Sequence, residues 1–330
     1  MERILVTGGA GFVGSHLCKR LLRSDAHVVA LDNLSTGNVG NLGQDIKNPR
    51  LDLIVGDIHS RKTLQRVLRK CDLVYHLAAN SDVRNGIHDT KVDFEQNLVA
   101  TKVILECMKE SETCRRLVFA STSTVYGEPS QIPTPETYGP LKPISLYGAS
   151  KLGCEAMISA YGHLFDIEST IFRLANVIGP QSSHGVVYDV TKQMSKRSNS
   201  VEILGNGKQR KSYLYIDDCI EALFMAYKWH EHQTETFNLG SNDSIQVNDI
   251  VRIINGTMGC KTPSMIKFRN IGDGRGWPGD VKEMLLDCSK LMSRGWKPRY
   301  GSQMAIELTV RRILNLGKLP SIPIVEKLSA

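Results

Sequence analysis

Apolar residues in the first half of the chain fall into short runs separated by stretches of helical spacing. The segments 3–7, 27–31, 51–56, 72–77, 116–120 and 167–173 are rich in Val, Ile, Leu and Phe, as strands covered on both faces must be. Between them, an amphipathic stretch ending near Ser24 and the segments 60–69, 91–110 and 147–165 carry helical patterns. In the last two, Phe94, Leu98, Ile104 and Leu105, then Met157, Ile158, Tyr161 and Phe165, form apolar stripes. Strands alternating with helices predict an α/β fold built on a doubly wound parallel sheet. Ligands of such sheets gather at the carboxyl ends of the strands, where Asp57 and Ile58, Leu77 to Ala79 and Ser121 to Ser123 fall. From about residue 177 the alternation weakens and Gly and Pro become frequent. The expected organisation is a large domain over 1–176 and a smaller one over 177–330, with parts of 208–240 returning to the first.

Composition narrows the class. A chain of 330 residues with 41% hydrophobic and 23% charged residues has the material for one large α/β domain and a smaller one. Met1-Glu2-Arg3 runs straight into Ile4-Leu5-Val6, and no stretch approaches the roughly 18 apolar residues of a membrane span, so a soluble cytoplasmic protein is expected. The eight cysteines are scattered and form no C-x-x-C pair, which suits small core residues in a reducing compartment. A formal charge of +7 raises the question of nucleic acid, but the Lys and Arg are dispersed, with no basic arm or aromatic-interleaved stripe. A small anionic ligand accounts for the charge. No His stands in the tight His/acid spacing of a metal site, and none is expected.

Two local patterns carry chemistry. The first strand runs into Gly8-Gly9-Ala10-Gly11-Phe12-Val13-Gly14 and then a helix, the strand–glycine turn–helix order of a Rossmann-type phosphate site. Gly8 suits the tight turn, Gly11 the approach of a pyrophosphate to the helix N-terminus, and Gly14 close packing of helix on sheet. Asp32, about 20 residues on, suits the two ribose hydroxyls of NAD and would repel the extra phosphate of NADP. A glycine turn that merely joins strand to helix is the plain alternative. The second pattern is Tyr147-Gly-Ala-Ser-Lys151: four apart on a helix, phenol and ammonium share a face, and the positive charge favours the phenolate that alcohol–ketone chemistry requires. By itself the pair equally describes a surface Lys one turn beyond a half-buried Tyr.

These motifs, with Asp32 to Gly37, Asp57-Ile58, His76 to Ala79, Asn97, Ser121 to Gly127, Arg173 to Asn176, Leu204 to Gly207, Tyr213 to Asp218, Pro278 to Asp280 and Gly295 to Pro298, resemble the extended short-chain dehydrogenase/reductase family. The resemblance is to its NAD-dependent nucleotide-sugar epimerase branch and covers most of the chain. It implies that Gly8, Gly11, Phe12, Val13, Gly14, Asp32, Asn33, Ser35, Thr36, Gly37, Asp57, Ile58, Leu77, Ala78, Ala79 and Asn97 serve NAD, together with Tyr147 and Lys151. It implies that Tyr147 is the acid/base, that Lys151 supports it, and that Thr122 bonds the reacting sugar hydroxyl. Ser123, Asn176, His184 and Asp280 are implied on the substrate side. Lys211 stands where relatives usually have Arg for the diphosphate. Arg210 is the neighbouring candidate, but adjacent strand residues face opposite ways, so at most one meets the phosphates. Trp277 stands where relatives usually have a second Arg, leaving Arg275 either to reach the phosphates or to sit in solvent. Met284 falls near the family's size-gating position. The residues after Thr122 separate the reactions of this superfamily, since members resembling dehydratases or decarboxylases carry carboxylates there and this chain has Ser123 and Thr124. The implied activity is interconversion of C4 epimers of a UDP-hexose, UDP-glucose and UDP-galactose by default, through a 4-keto intermediate. UDP-N-acetylhexosamine and UDP-glucuronate are rival substrates. A noncatalytic NAD-sensing protein and an ordinary alcohol dehydrogenase are the rival functions. Helices over 91–110 and 147–165 pair into homodimers in this family.

Overall fold

The computed structural model describes residues 1–196, 200–226, 228–229, 234–260, 265–269 and 272–316. Strands β1 (Arg3–Thr7), β2 (His27–Asp32), β3 (Leu51–Val55), β4 (Leu73–His76), β5 (Arg116–Thr122) and β6 (Glu168–Leu174) alternate with helices. These are α1 (Phe12–Leu22), α2 (Arg61–Leu68), α3 (Asn85–His88), α4 (Thr90–Asp93), α5 (Ala100–Lys109) and α6 (Leu146–Phe165). Next come β7 (Asn176–Ile178), α7 (Val186–Ser195), β8 (Ser200–Leu204), β9 (Arg210–Lys211), β10 (Tyr213–Tyr215), α8 (Ile216–Ala226) and β11 (Glu235–Leu239). The last elements are β12 (Ile245–Gln246), α9 (Val247–Met258), β13 (Met265–Arg269), β14 (Glu283–Met284), α10 (Ser289–Ser293) and α11 (Ser302–Ile313).

A seven-stranded parallel sheet in the order β11-β6-β5-β4-β1-β2-β3 forms the centre. Its continuous apolar runs follow from burial on both faces. Ile4, Val6, Val28, Tyr75 and Phe172 join Leu17 and Leu21 of α1 and Leu223 of α8 in one core. Leu5, Val29, Val74, Phe119 and Ile171 join Leu64 of α2, Ile104 of α5 and Ile158 of α6 in the other. Strand order reverses between β1 and β4, so the crevice for a ligand opens at the carboxyl ends of those strands. Strand β11, from the second half of the chain, completes the sheet beside β6. The remaining strands form small sheets, β10 with β7, β13 with β8, and β9 between β12 and β14.

The pattern over 91–110 is not one regular helix. After α4 the backbone widens into a π turn over Phe94–Val99 before α5 begins. The Asn97 carbonyl there accepts bonds from Thr101 Oγ1 (2.7 Å) and Cys154 Sγ (3.5 Å). Its side chain bonds Ser150 Oγ at 2.9 Å and receives the Asn80 backbone N–H at 2.9 Å. Of the apolar stripes, Ile104, Leu105 and Ile158 are spent in the core, whereas Phe94 stays 55% exposed.

A buried ion pair fixes α6 to the sheet. Arg173 of β6 donates to both carboxylate oxygens of Glu155, at 2.7 Å through Nη2 and 3.1 Å through Nε, and Ser121 Oγ donates to the same carboxylate. Removing one partner strands the other charge in the interior. Glu155→Ala is therefore expected to lower stability by about 3–5 kcal/mol, read from the guanidinium unfolding midpoint; a loss below about 1 kcal/mol would contradict the assigned role.

Candidate active site

A cavity of about 1120 Å³ runs along the carboxyl ends of the strands, from β2 to the loops of the second half. Its β1–β2 end is shaped by absent side chains. Gly8 has φ of +69°, and a Cβ on Gly14 would lie 2.0 Å from the Gly8 carbonyl oxygen, so the turn and the helix behind it fit only as glycines. Gly11 caps α1 in extended conformation without any side-chain cap bond, which leaves the first-turn amides of the helix for an anionic group. Asp32 closes β2 with its carboxylate fixed by the Ala10 N–H (2.9 Å) and the Leu34 N–H (2.8 Å). Gly37 lies against that carboxylate, where a Cβ would come within 2.6 Å. These features fit a dinucleotide: a backbone cradle for the pyrophosphate and a held acid for the ribose.

Gly8, Gly11, Phe12, Val13, Gly14, Asp32, Asn33, Ser35, Thr36, Ile58, Leu77, Ala78 and Ala79 all line the cavity. Gly37, Asp57 and Asn97, expected among the cofactor-contacting residues, are not in its wall. Asp57 is engaged by Asn33 Nδ2 (3.1 Å) and by His59 Nδ1 (2.6 Å). Asn97 is buried behind the wall, tying Asn80 to Ser150. Both support lining residues from outside.

At the other end of the same crevice, Thr122, Ser123, Thr124, Tyr147 and Lys151 line the wall together. Helix α6 begins at Ser145, whose Oγ caps the Gly148 N–H at 3.0 Å, so Tyr147 and Lys151 occupy its first two turns on one face. Lys151 Nζ donates to the Ala120 carbonyl at 2.8 Å and stands 6.0 Å from the centre of the Tyr147 ring. Thr122 Oγ1 is engaged with Thr124, at 3.1 Å to its hydroxyl. Burial pushes the Tyr147 phenol above its usual range, and the negative charge of Asp93 acts the same way. Burial also pulls Lys151 down to about 8. Asp93 is buried, with Oδ1 bonded by Asn80 Nδ2 (2.9 Å) and Oδ2 without a hydrogen-bond partner among the described residues.

On the far wall Lys211 and Asp280 form an ion pair within the cavity lining. Strand alternation turns Arg210 the other way, toward the Ser244 carbonyl at 3.0 Å. Arg210 thus lies outside the cavity lining. Arg275 lies outside it too, its guanidinium engaged by the Asp280 carbonyl (2.7 Å), Glu128 (2.7 Å) and Asp273. It clips the loop before Asp280 to the 128 region, outside the cavity. Met284 is buried away from the lining. Asn176 and His184 line the cavity, Asn176 donating to the Ser212 carbonyl at 3.2 Å. The structure adds residues not singled out in the sequence, the loop Asn80 to Arg84 and Asp189 and Lys192 of α7. Only the rule that ligands gather at strand ends pointed to the first of these, since the loop leaves β4. Among the described residues no three His, Cys, Asp or Glu converge as a metal site, and no helix is long and apolar enough to cross a membrane.

The description of the NAD dependent epimerase/dehydratase family matches residues 4–240. The chain belongs to this family. It is similar to a Methanocaldococcus jannaschii protein provisionally named UDP-glucose 4-epimerase, 33% identical over 322 residues that make up 96% of this chain and 98% of that protein. Among solved structures it is similar to a UDP-galactose 4-epimerase, with 38% identity and a TM-score of 0.82, covering 95% of this chain and 99% of that one. It is also similar to the UDP-glucuronic acid 4-epimerase of Bacillus cereus in complex with UDP-glucuronic acid and NAD, with 30% identity and a TM-score of 0.87 over 96% and 100% of the two chains.

The buried ammonium of Lys151 has a consequence for stability. Its folded-state value near 8 lies below the ordinary 10.5, so between those values the unfolded chain binds more protons and stability rises with pH. Lys151→Met is expected to remove that rise and to leave the melting temperature at pH 7 equal or higher; melting curves from pH 7 to 10.5 without nicotinamide cofactor decide it.

Proposed function

We propose that the protein is a UDP-sugar 4-epimerase acting on the UDP-glucose/UDP-galactose pair. One observation carries the reading. Thr122, Tyr147 and Lys151 share a cavity wall with Ser123 and Thr124, and β5 and the turn after it bring no carboxylate to that wall. The family name joins epimerases and dehydratases, so membership alone leaves the reaction open. Elimination from a keto sugar needs a general acid beside the ring, and hydroxyls with ordinary acidity are poor substitutes. Return of hydrogen to the same carbon needs no such group.

NAD, which the glycine turn and Asp32 would hold, would supply reversible hydride acceptance at the sugar C4. The residues of this chain do the rest. The glycine turn and Asp32 hold the dinucleotide, while Thr122 positions the C4 hydroxyl and Tyr147 exchanges its proton. The Lys151 ammonium favours the phenolate, offsetting the burial that otherwise keeps the proton on Tyr147. Lys211 supplies charge to the diphosphate, and Asp280 accepts from the uridine ribose. The conformity of Asn176 and His184 with the same wall supports their place beside the nucleotide. We further propose a cytoplasmic homodimer, supported by the exposed Phe94 and Leu164 on the helices flanking the site.

NMR of the sugar ring protons is expected to show UDP-glucose and UDP-galactose interconverting with NAD retained on the protein and no net NADH or dehydrated sugar formed. Tyr147→Phe should lower turnover by about 100-fold or more. Stoichiometric accumulation of NADH, or equal rates in the wild type and Tyr147→Phe, would sink the proposal.

A further inference from the structure

The cavity that Tyr147 lines also carries charges that the reaction described above does not use. Asp82 and Arg84 lie on the loop leaving β4, the strand beside the one that ends in Thr122. The same loop begins at Asn80, which is bonded to Asp93, the charge felt by Tyr147. Asp82 accepts Arg84 Nε at 3.0 Å and Nη2 at 3.1 Å, one oxygen for each nitrogen, so this guanidinium is already neutralised. Facing them is Asp189, in the first turn of α7. Its carboxylate is half-buried in the lining and makes no hydrogen bond or ion pair among the described residues. Burial pushes that carboxyl above its usual range, with the charges of Arg84 and His184 pulling the other way. Lys192, one turn further, stands 5.5 Å from the Tyr188 ring.

A half-buried carboxylate without donors is costly, and a ligand that brings hydroxyl groups relieves the cost. Its two oxygens match two neighbouring hydroxyls of a hexose. A sugar carboxylate would instead bring a second negative charge beside Asp189, where the Arg84 guanidinium is committed to Asp82 and Lys192 is the cation left on that stretch of α7. We infer that Asp189 is the specificity-determining residue of the sugar site, accepting hydrogen bonds from hydroxyls of a neutral hexose and disfavouring a hexuronic acid. The inference rests on the UDP-sugar reading and names which class of sugar the site takes.

The test compares UDP-glucose with UDP-glucuronate on the NAD-bound, full-length protein, by kcat/KM and by calorimetric binding, in the wild type, Asp189→Asn and Asp189→Ala. The wild type is expected to favour UDP-glucose by at least about tenfold. Asp189→Asn should shrink that preference about tenfold, chiefly by improving UDP-glucuronate, and Asp189→Ala should weaken UDP-glucose by a similar factor, with NAD content unchanged and the melting temperature no lower than that of the wild type. A preference that stays within about twofold of wild type in both variants, equal losses for both sugars, or a wild type that favours UDP-glucuronate overturns the inference. Binding that follows the expected preference without epimerisation of either sugar would overturn the epimerase reading and leave the role of Asp189 standing. Binding of neither sugar would remove both.

Discussion

The geometry of the site depends on one buried ion pair. Arg173 and Glu155 are each almost fully enclosed, and their bidentate contact joins the sixth strand to the long helix that carries Tyr147 and Lys151. Glu155 stands one turn beyond Lys151, and Ser121, which donates to it, immediately precedes Thr122. The clamp therefore sets the helix against the strand end within one turn of Lys151 and one residue from Thr122. Burying two full charges is a poor route to stability when an apolar pair of equal volume would serve. Here it fixes an orientation, because a bidentate guanidinium–carboxylate contact tolerates little rotation of the helix about its axis.

Lys151 continues the same logic at higher cost. Its ammonium is desolvated and has one carbonyl ligand, a state that the fold tolerates because the rest of the helix is held elsewhere. The π turn at Asn97 contributes from the opposite side. By widening the backbone it lets one side chain bond the loop at Asn80 and the helix at Ser150 together. A polar network buried behind the wall thus holds both the helix of Tyr147 and Lys151 and the loop at Asn80.

The alternation of apolar runs was enough to read the parallel sheet, the glycine turn and Asp32, because each is a local pattern with its own spacing. Tyr147 and Lys151 were legible for the same reason, as partners within a single helix. The π turn was not, since one extra residue in a turn barely disturbs a hydrophobic stripe. Arg275 looked available because an arginine in a glycine-rich loop has no periodicity to orient it. Its partners at Glu128 and the Asp280 carbonyl exist only after two distant loops meet. The choice between Arg210 and Lys211 needed the register of a two-residue strand. Asp189 carried no local signal at all, and its meaning comes from the wall it faces.

The carboxylates of the cavity explain why proton traffic would be confined to one residue. Five line it among the described residues: Asp32, Asp82, Asp189, Glu202 and Asp280. Asp32 is held by two backbone amides, Asp82 by Arg84, and Asp280 by Lys211. Glu202 lies 3.5 Å from Arg269. Those contacts occupy the carboxylate oxygens that a sugar hydroxyl would otherwise meet. With Ser123 and Thr124 beside Thr122, the proposed reaction would leave the phenol of Tyr147 to take a proton from the sugar and return it to the same oxygen. Asp189 alone is uncommitted, and it lies on the wall facing the Asp82–Arg84 pair, where binding a hydroxyl satisfies it as amides or a cation satisfy the others.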